Sequence, residues 1–211
     1  MKKIITPLLF GLLFAASGVN ADVVMLTSRD GFYAVTKNHI VLGFEGISES
    51  SSGGGFSGTG LEVAGITFTG TGGCGDPHLD VGPPSASTTW GTGDALFGDR
   101  FGFCQSSGIP VGNIEALLPT KTYATGTDFM LVHANGTSPS EPVLFSVYTG
   151  KTRRDFQLNS IANSAAFAGF ISDTPITSVQ FRTLGVNGDG SSYGALDNFI
   201  IANSQGFAIK K

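Results

Sequence analysis

Two places in this 211-residue chain set a charged side chain against apolar ones. In Leu196-Asp197-Asn198-Phe199-Ile200-Ile201 an Asp-Asn pair heads an apolar run, and in Gly43-Phe44-Glu45-Gly46 a glutamate closes one. A charge beside buried positions costs free energy unless it is paired, hydrogen-bonded or bound to a metal. Turn amides donating to Glu45 and Asp197 are one solution, and a bound cation is the other. Asn187-Gly188-Asp189-Gly190-Ser191 places oxygen side chains at alternate positions, like the start of a calcium loop. Counted from Asn187, however, the twelfth position is Asn198 where such a loop needs an acid, so the segment reads as a Gly/Asn turn. Asp76-Pro77-His78-Leu79-Asp80 puts a histidine between two carboxylates beside Cys74. It offers too few local ligands for a metal and no nucleophile for a dyad, and reads as a solvated turn.

Catalytic signatures are missing from the sequence. There is no Gly-x-Ser-x-Gly elbow, no His-Glu-x-x-His, and no glycine loop that opens a helix onto a phosphate. Glycoside hydrolysis needs two carboxylates about 5–10 Å apart in a cleft. Asp94 and Asp99 are available, but they read as shaping the turn around Phe97-Gly98. His39 and His133 lie in strand-like segments and read as packed or surface residues. For binding, Trp90 lies in a long loop and Tyr193 in the loop before the last strand. The face of either ring can stack on a sugar; for Trp90 the other role is to cap the core. Arg153-Arg154 is a small solvated basic spot.

The elements that must position these residues belong to an exported chain. Met1-Lys2-Lys3, the apolar run Ile4–Ala16 and the small residues of Val19-Asn20-Ala21 make residues 1–21 a secretory signal peptide. The run is too short to span a bilayer, which takes about 20 apolar residues. Residues 22–211 are then one domain, secreted to the periplasm or outside the cell, with no membrane insertion after cleavage. Losing Lys2 and Lys3 takes the basic count from 12 to 10 against 16 acidic residues, a net charge of −6. With no basic stripe, nucleic acid is excluded as a partner. Cys74 and Cys104 are the only cysteines. In an oxidising compartment they predict a disulfide, the other reading being two buried thiols.

Glycine is abundant (31 residues) and charge is sparse (13%), so few segments have a helical composition. Short Phe/Val/Ile/Thr runs between Gly/Ser/Asn/Pro clusters predict an all-β fold of about nine or ten strands. Expected strands are Phe32–Thr36, His39–Glu45, Leu61–Phe68, Leu96–Phe103, Phe129–Ala134 paired with Val143–Thr149, Asp155–Ser160, Phe167–Ser172, Thr177–Leu184 and Leu196–Ala202. Within Thr177–Leu184, Val179, Phe181 and Thr183 alternate with Ser178, Gln180 and Arg182, the period of a half-buried strand. Segments 48–60 and 70–93 read as long loops, and Ile114–Pro119 as a single helical turn.

The order Phe44-Glu45-Gly46, then Phe167-Ala168-Gly169-Phe170-Ile171, then Thr177–Phe181 after Pro175-Ile176, then Leu196-Asp197-Asn198-Phe199 resembles bacterial secreted β-sandwich proteins of the PEP-CTERM-associated type. It resembles jelly-roll carbohydrate-binding modules more distantly. The resemblance covers mainly residues 40–70 and 125–202. This sequence holds no Pro-Glu-Pro tail, following apolar helix or basic cluster beyond Lys210-Lys211, so sorting by that tail is not expected. The resemblance implies an antiparallel jelly-roll-like β-sandwich. It also implies a structural calcium ion shared by Glu45 and Asp197, with Asn198 as a third candidate ligand. The expected function is a non-catalytic binding or matrix protein that contacts polysaccharide or cell-surface components. The alternatives are a structural or adhesive surface subunit, and a carbohydrate-active hydrolase or lyase on the same sandwich.

Overall fold

The computed structural model describes residues 23–47, 56–58, 60–71, 79–82, 93–98, 113–133, 137–184 and 192–202. Their elements run in the order β1 (Val23–Leu26), α1 (Arg29–Val35), β2 (His39–Leu42), β3 (Phe56–Gly58), β4 (Gly60–Val63), β5 (Ile66–Thr71), β6 (Leu79–Gly82) and β7 (Ala95–Gly98). They continue with β8 (Asn113–Leu117), β9 (Ala124–His133), β10 (Pro142–Thr149), β11 (Thr152–Asn159), β12 (Ala166–Ser172), β13 (Ser178–Thr183) and β14 (Ser192–Ala202). They build two antiparallel sheets. One has eight strands in the order β1-β12-β9-β14-β7-β6-β3, with β2 also on β14; the other has six, in the order β11-β10-β13-β8-β5-β4. The chain changes sheet from β3 to β4, from β5 to β6, at each step from β7 to β10, and at each step from β11 to β14. The expected jelly-roll-like β-sandwich is thus the observed architecture.

Alternation decides which side chains enter the core, because successive residues of a strand face opposite ways. Val143, Phe145 and Val147 of β10, Val179 and Phe181 of β13, and Ile114 and Ala116 of β8 are all buried. They meet Phe129 and Leu131 of β9, Phe170 of β12, and Leu196, Phe199 and Ile201 of β14. Phenylalanine dominates this layer. The Phe145 ring lies 5.1 Å from Phe129, 5.4 Å from Phe170 and 5.0 Å from Phe181, so one ring joins both sheets.

Several local expectations are corrected. Phe32–Thr36 belongs to helix α1 and its C-cap, not to a strand. The Ser28 side chain caps the helix by accepting from Gly31 N (3.3 Å), and Asp30 sits in the first turn, where negative charge is favoured. Thr36 closes it by donating both N–H and hydroxyl to the Phe32 carbonyl. Ile114–Pro119 is not a helical turn, because Asn113–Leu117 is β8 and pairs with β5 and β13. The expected single strand Leu61–Phe68 is a hairpin, β4–β5. Its turn residues Ala64 and Gly65 both have positive φ (50° and 76°), the geometry of a two-residue type I′ turn. An alanine there hides the turn from the sequence. Phe129–Ala134 and Val143–Thr149 are not partners: β9 and β10 lie in different sheets. Strands β3 and β6 stand inside segments expected to be loop, and β1 was not expected. The signal peptide, Cys74, Cys104, Trp90, the loop 187–191 and the tail 203–211 lie outside the described residues.

Candidate functional site

The outer face of the six-stranded sheet collects the polar half of the alternation. Ser178, Gln180 and Arg182 of β13 point away from the core, with Leu144, Ser146 and Tyr148 of β10 beside them. Asn113, Glu115 and Leu117 of β8 follow, then Thr67 and Thr69 of β5. Register lines them up: Asp155 of β11 opposes Ser146, Ser146 opposes Gln180, Gln180 opposes Glu115, and Glu115 opposes Thr69. Gln180, Arg182, Glu115, Tyr148 and Asn113 are each half-buried.

Hydrogen bonds orient this strip without exhausting it. Tyr148 Oη donates to Gln180 Oε1 (3.3 Å). Arg182 Nη2 donates to Ser146 Oγ (2.8 Å), while Arg182 Nε is buried with no hydrogen-bond partner. Asn113 Oδ1 accepts from Thr183 N (3.3 Å). The Glu115 side chain makes no hydrogen bond or ion pair among the described residues. At the rim, Arg153 Nε donates to Asp155 Oδ1 (2.7 Å). That bond holds the Asp155 carboxyl below its ordinary range, with Ser146 and the Arg153 and Arg182 charges adding to it against some desolvation. A lowered folded-state pKa contributes stability above the ordinary aspartate range, lost as pH falls through the folded value. Arg153→Ala is therefore expected to move the Asp155 titration upward, as followed by carboxyl-carbon NMR. Stability at neutral pH should change little, because both groups are exposed.

The expected metal residues lie on the other sheet. Asp197 is 6% exposed and directly opposes Asp128 of β9. The β14–β9 register shifts between Asp197 and Ile200, a bulge with Asn198 at φ 46°. The extra residue keeps Phe199 and Ile201 on the core side. Asp197 Oδ1 accepts from Asn198 N (2.6 Å), and the Asn198 Nδ2 amide donates to Asp197 Oδ2 (3.1 Å) and Asp128 Oδ2 (3.0 Å). Arg29, from the first turn of α1, pairs with Asp128. Burial alone would lower the Arg29 pKa, but the hydrogen bond and charge of Asp128 outweigh it and raise the value.

Glu45 lies elsewhere, exposed in the turn after β2, with its carboxylate against Gly43 and Gly93. Among the described residues no group of three or more His, Cys, Asp or Glu side chains is placed to hold a metal. The structure thus joins Asp197 and Asn198 to Asp128 and Arg29, which sequence reasoning missed, and does not join them to Glu45 by any hydrogen bond. Asn198 presents N–H donors, where calcium wants oxygens, so these residues as arranged do not fit the expected ion. Unfolding midpoints in excess calcium and in chelator are expected to coincide. A calcium-dependent rise that is lost in Asp197→Ala would contradict this.

Tyr193 is also corrected: it stands in β14, not in a loop. It is 8% exposed, with its ring 5.9 Å from Phe97 in an edge contact. At that exposure the ring offers little surface for stacking on a sugar. His39 is packed as expected, against Tyr33 (4.7 Å between rings) and Thr36 Oγ1 (2.5 Å).

Among the described residues, no helix is long and apolar enough to cross a membrane. No protein-family model matches this chain, and no curated protein does. Solved structures that resemble it include two variants of a family 29 carbohydrate-binding module. The one complexed with cellulohexaose shows 8% identity over 81% of this chain and 94% of that chain, with a TM-score of 0.31. The one complexed with mannohexaose shows 9% identity over 79% and 92%, with a TM-score of 0.31. A family 11 carbohydrate-binding module from Clostridium thermocellum, in complex with a β-1,3-1,4-mixed-linked tetrasaccharide, shows 12% identity over 79% and 96%, with a TM-score of 0.34. Likeness at this level bears on neither the site nor its ligand.

Proposed function

We propose that this chain is an exported, non-catalytic carbohydrate-binding protein that holds a polysaccharide on the outer face of its six-stranded sheet. The observation that carries this reading is the strip Tyr148–Gln180–Arg182–Glu115–Asn113. Its planar polar side chains are half-buried and retain hydrogen-bonding capacity that the protein does not use. Unmet donors and acceptors at a partly desolvated face are costly, and a hydroxyl, which both donates and accepts, satisfies either kind.

Hydrolysis is the weaker reading. Glu115 and Asp155 are separated by β13 and β10, roughly 14 Å at the usual inter-strand spacing, too far for a glycosidase pair. Asp128 and Asp197 are closer, but both are occupied by donors from Asn198. An adhesive subunit that grows by strand addition needs an inviting edge. The edge strand β11 exposes Arg153, Arg154 and Asp155, and charges of this kind block pairing at that edge.

The test is affinity electrophoresis of the protein spanning residues 22–211 through gels containing neutral β-glucan, mannan or an acidic polysaccharide. Retardation by a neutral glycan is expected, and its loss in the double variant Gln180→Ala/Arg182→Ala with an unchanged unfolding midpoint. Equal retardation of both proteins would remove the face from the proposal.

A further inference from the structure

We infer that Glu115 and Gln180 together read a vicinal diol, so that the polysaccharide taken by this face must turn two adjacent free hydroxyls toward it. This rests on the carbohydrate reading above. The two residues are direct partners across β8 and β13, which sets their Cα atoms about 4.5–5.5 Å apart. Their neighbours Ile114, Ala116, Val179 and Phe181 are all buried in the core, so both polar side chains stand on the outer face.

Their free capacities are complementary. Gln180 Oε1 is taken by the Tyr148 hydroxyl, which fixes the amide so that its NH2 remains to donate. The Glu115 carboxylate can only accept, and no donor reaches it among the described residues. One hydroxyl of a diol therefore donates to Glu115 while the oxygen beside it accepts from Gln180. Because the carboxylate is charged, its bond is the stronger of the two. Thr69 and Ser146 flank the pair in the same row; Thr69 is half-buried, and Ser146 is fully buried with its hydroxyl held by Arg182.

The diol reading makes a prediction that a merely polar surface does not. Inside β-1,4-linked hexopyranose chains, O2 and O3 form the only vicinal pair; with the terminal O3/O4 pair blocked by 4-O-methylation of the non-reducing end in every probe, removing O2 leaves no diol. The probes are cellohexaose, mannohexaose and their common 2-deoxy hexasaccharide, titrated by calorimetry into the wild type, Glu115→Ala, Glu115→Gln and Gln180→Ala. The wild type should bind at least one hydroxylated probe about tenfold or more tighter than the 2-deoxy form, since a charged hydrogen bond of ordinary strength corresponds to such a factor. Glu115→Ala should lose about that factor on the hydroxylated probe and no longer discriminate between the two forms. Glu115→Gln, which keeps an acceptor oxygen, should lose less.

Discrimination that survives in Glu115→Ala, or Glu115→Ala binding as tightly as the wild type, overturns the diol assignment and leaves carbohydrate binding standing. Wild type that binds neither hydroxylated hexasaccharide overturns both. Matching unfolding midpoints for all four proteins exclude misfolding as the cause of any loss.

Discussion

Phe145→Ala is expected to lower the unfolding free energy by about 3–5 kcal/mol, the range for truncating a fully buried phenylalanine. The ring is fully buried and touches Phe181 in its own sheet and Phe129 and Phe170 in the other. Its removal leaves a cavity between the layers and also deletes three aromatic contacts, each worth about 0.5–1.5 kcal/mol beyond the buried area. Domains of this size are stable by about 5–15 kcal/mol, so the variant should sit near the edge of folding. Urea unfolding at fixed temperature measures it. The midpoint should fall strongly with little change in slope, as befits a loss of native stability without a change in exposed area. A loss below about 1 kcal/mol would mean that the two sheets do not share one core at this ring.

The second large effect concerns a glycine. Gly169 of β12 and Gly126 of β9 are register partners, and their bare backbones form the seat on which Phe32 of α1 and Phe167 pack. A Cβ on Gly169 would lie 2.5 Å from the Phe32 ring and 2.9 Å from the Phe167 ring. Phe32 is fully buried with Ile171, Ile200, Ala124 and Ala202, so it cannot swing aside. Gly169→Ala should cost about 1–3 kcal/mol, the usual range for overpacking, and should speed hydrogen exchange at the amides of α1 before those of β10 or β13. Gly43→Ala and Gly93→Ala are the contrast. There the three atoms nearest the added carbon all belong to the exposed Glu45 side chain, which can move away, and changes within about 0.5 kcal/mol are expected. Equal losses at Gly169 and Gly93 would show that close approach alone, whatever the mobility of the neighbour, sets the cost.

The sandwich was legible in the sequence because its strongest strands alternate cleanly. Val179 and Phe181 against Gln180 and Arg182 already separate a core side from an outer side. The same alternation exists in β8, with Ile114 and Ala116 against Asn113, Glu115 and Leu117. It was masked by the nearby Pro119, which suggested a terminated helical turn, and with that reading Glu115 could not be placed opposite Gln180. Asp128 was missed because its segment was expected to begin at Phe129, although β9 runs from Ala124 to His133. Arg29 was missed because a seven-residue helix carries little periodic signal. Its one marker was Ser28 ahead of Asp30, the cap and first-turn acid of a helix start. Pairing between distant strands leaves no local trace. Neither the opposition of Asp128 and Asp197 nor the bulge at Asn198 can be read from spacing, and the expected union of Glu45 with Asp197 rested on family resemblance alone.

The central claim is that ligand contacts lie on the outer face of the six-stranded sheet. The most direct test is amide and side-chain chemical-shift mapping of the 22–211 protein during titration with cellohexaose and mannohexaose. The account predicts saturable shifts at Glu115, Gln180, Arg182 and Tyr148, including the Gln180 side-chain amide, with the Asp128–Asp197–Asn198 cluster unmoved. Shifts confined to the eight-stranded sheet around Tyr193 and Phe97, or none with either hexasaccharide, would contradict it.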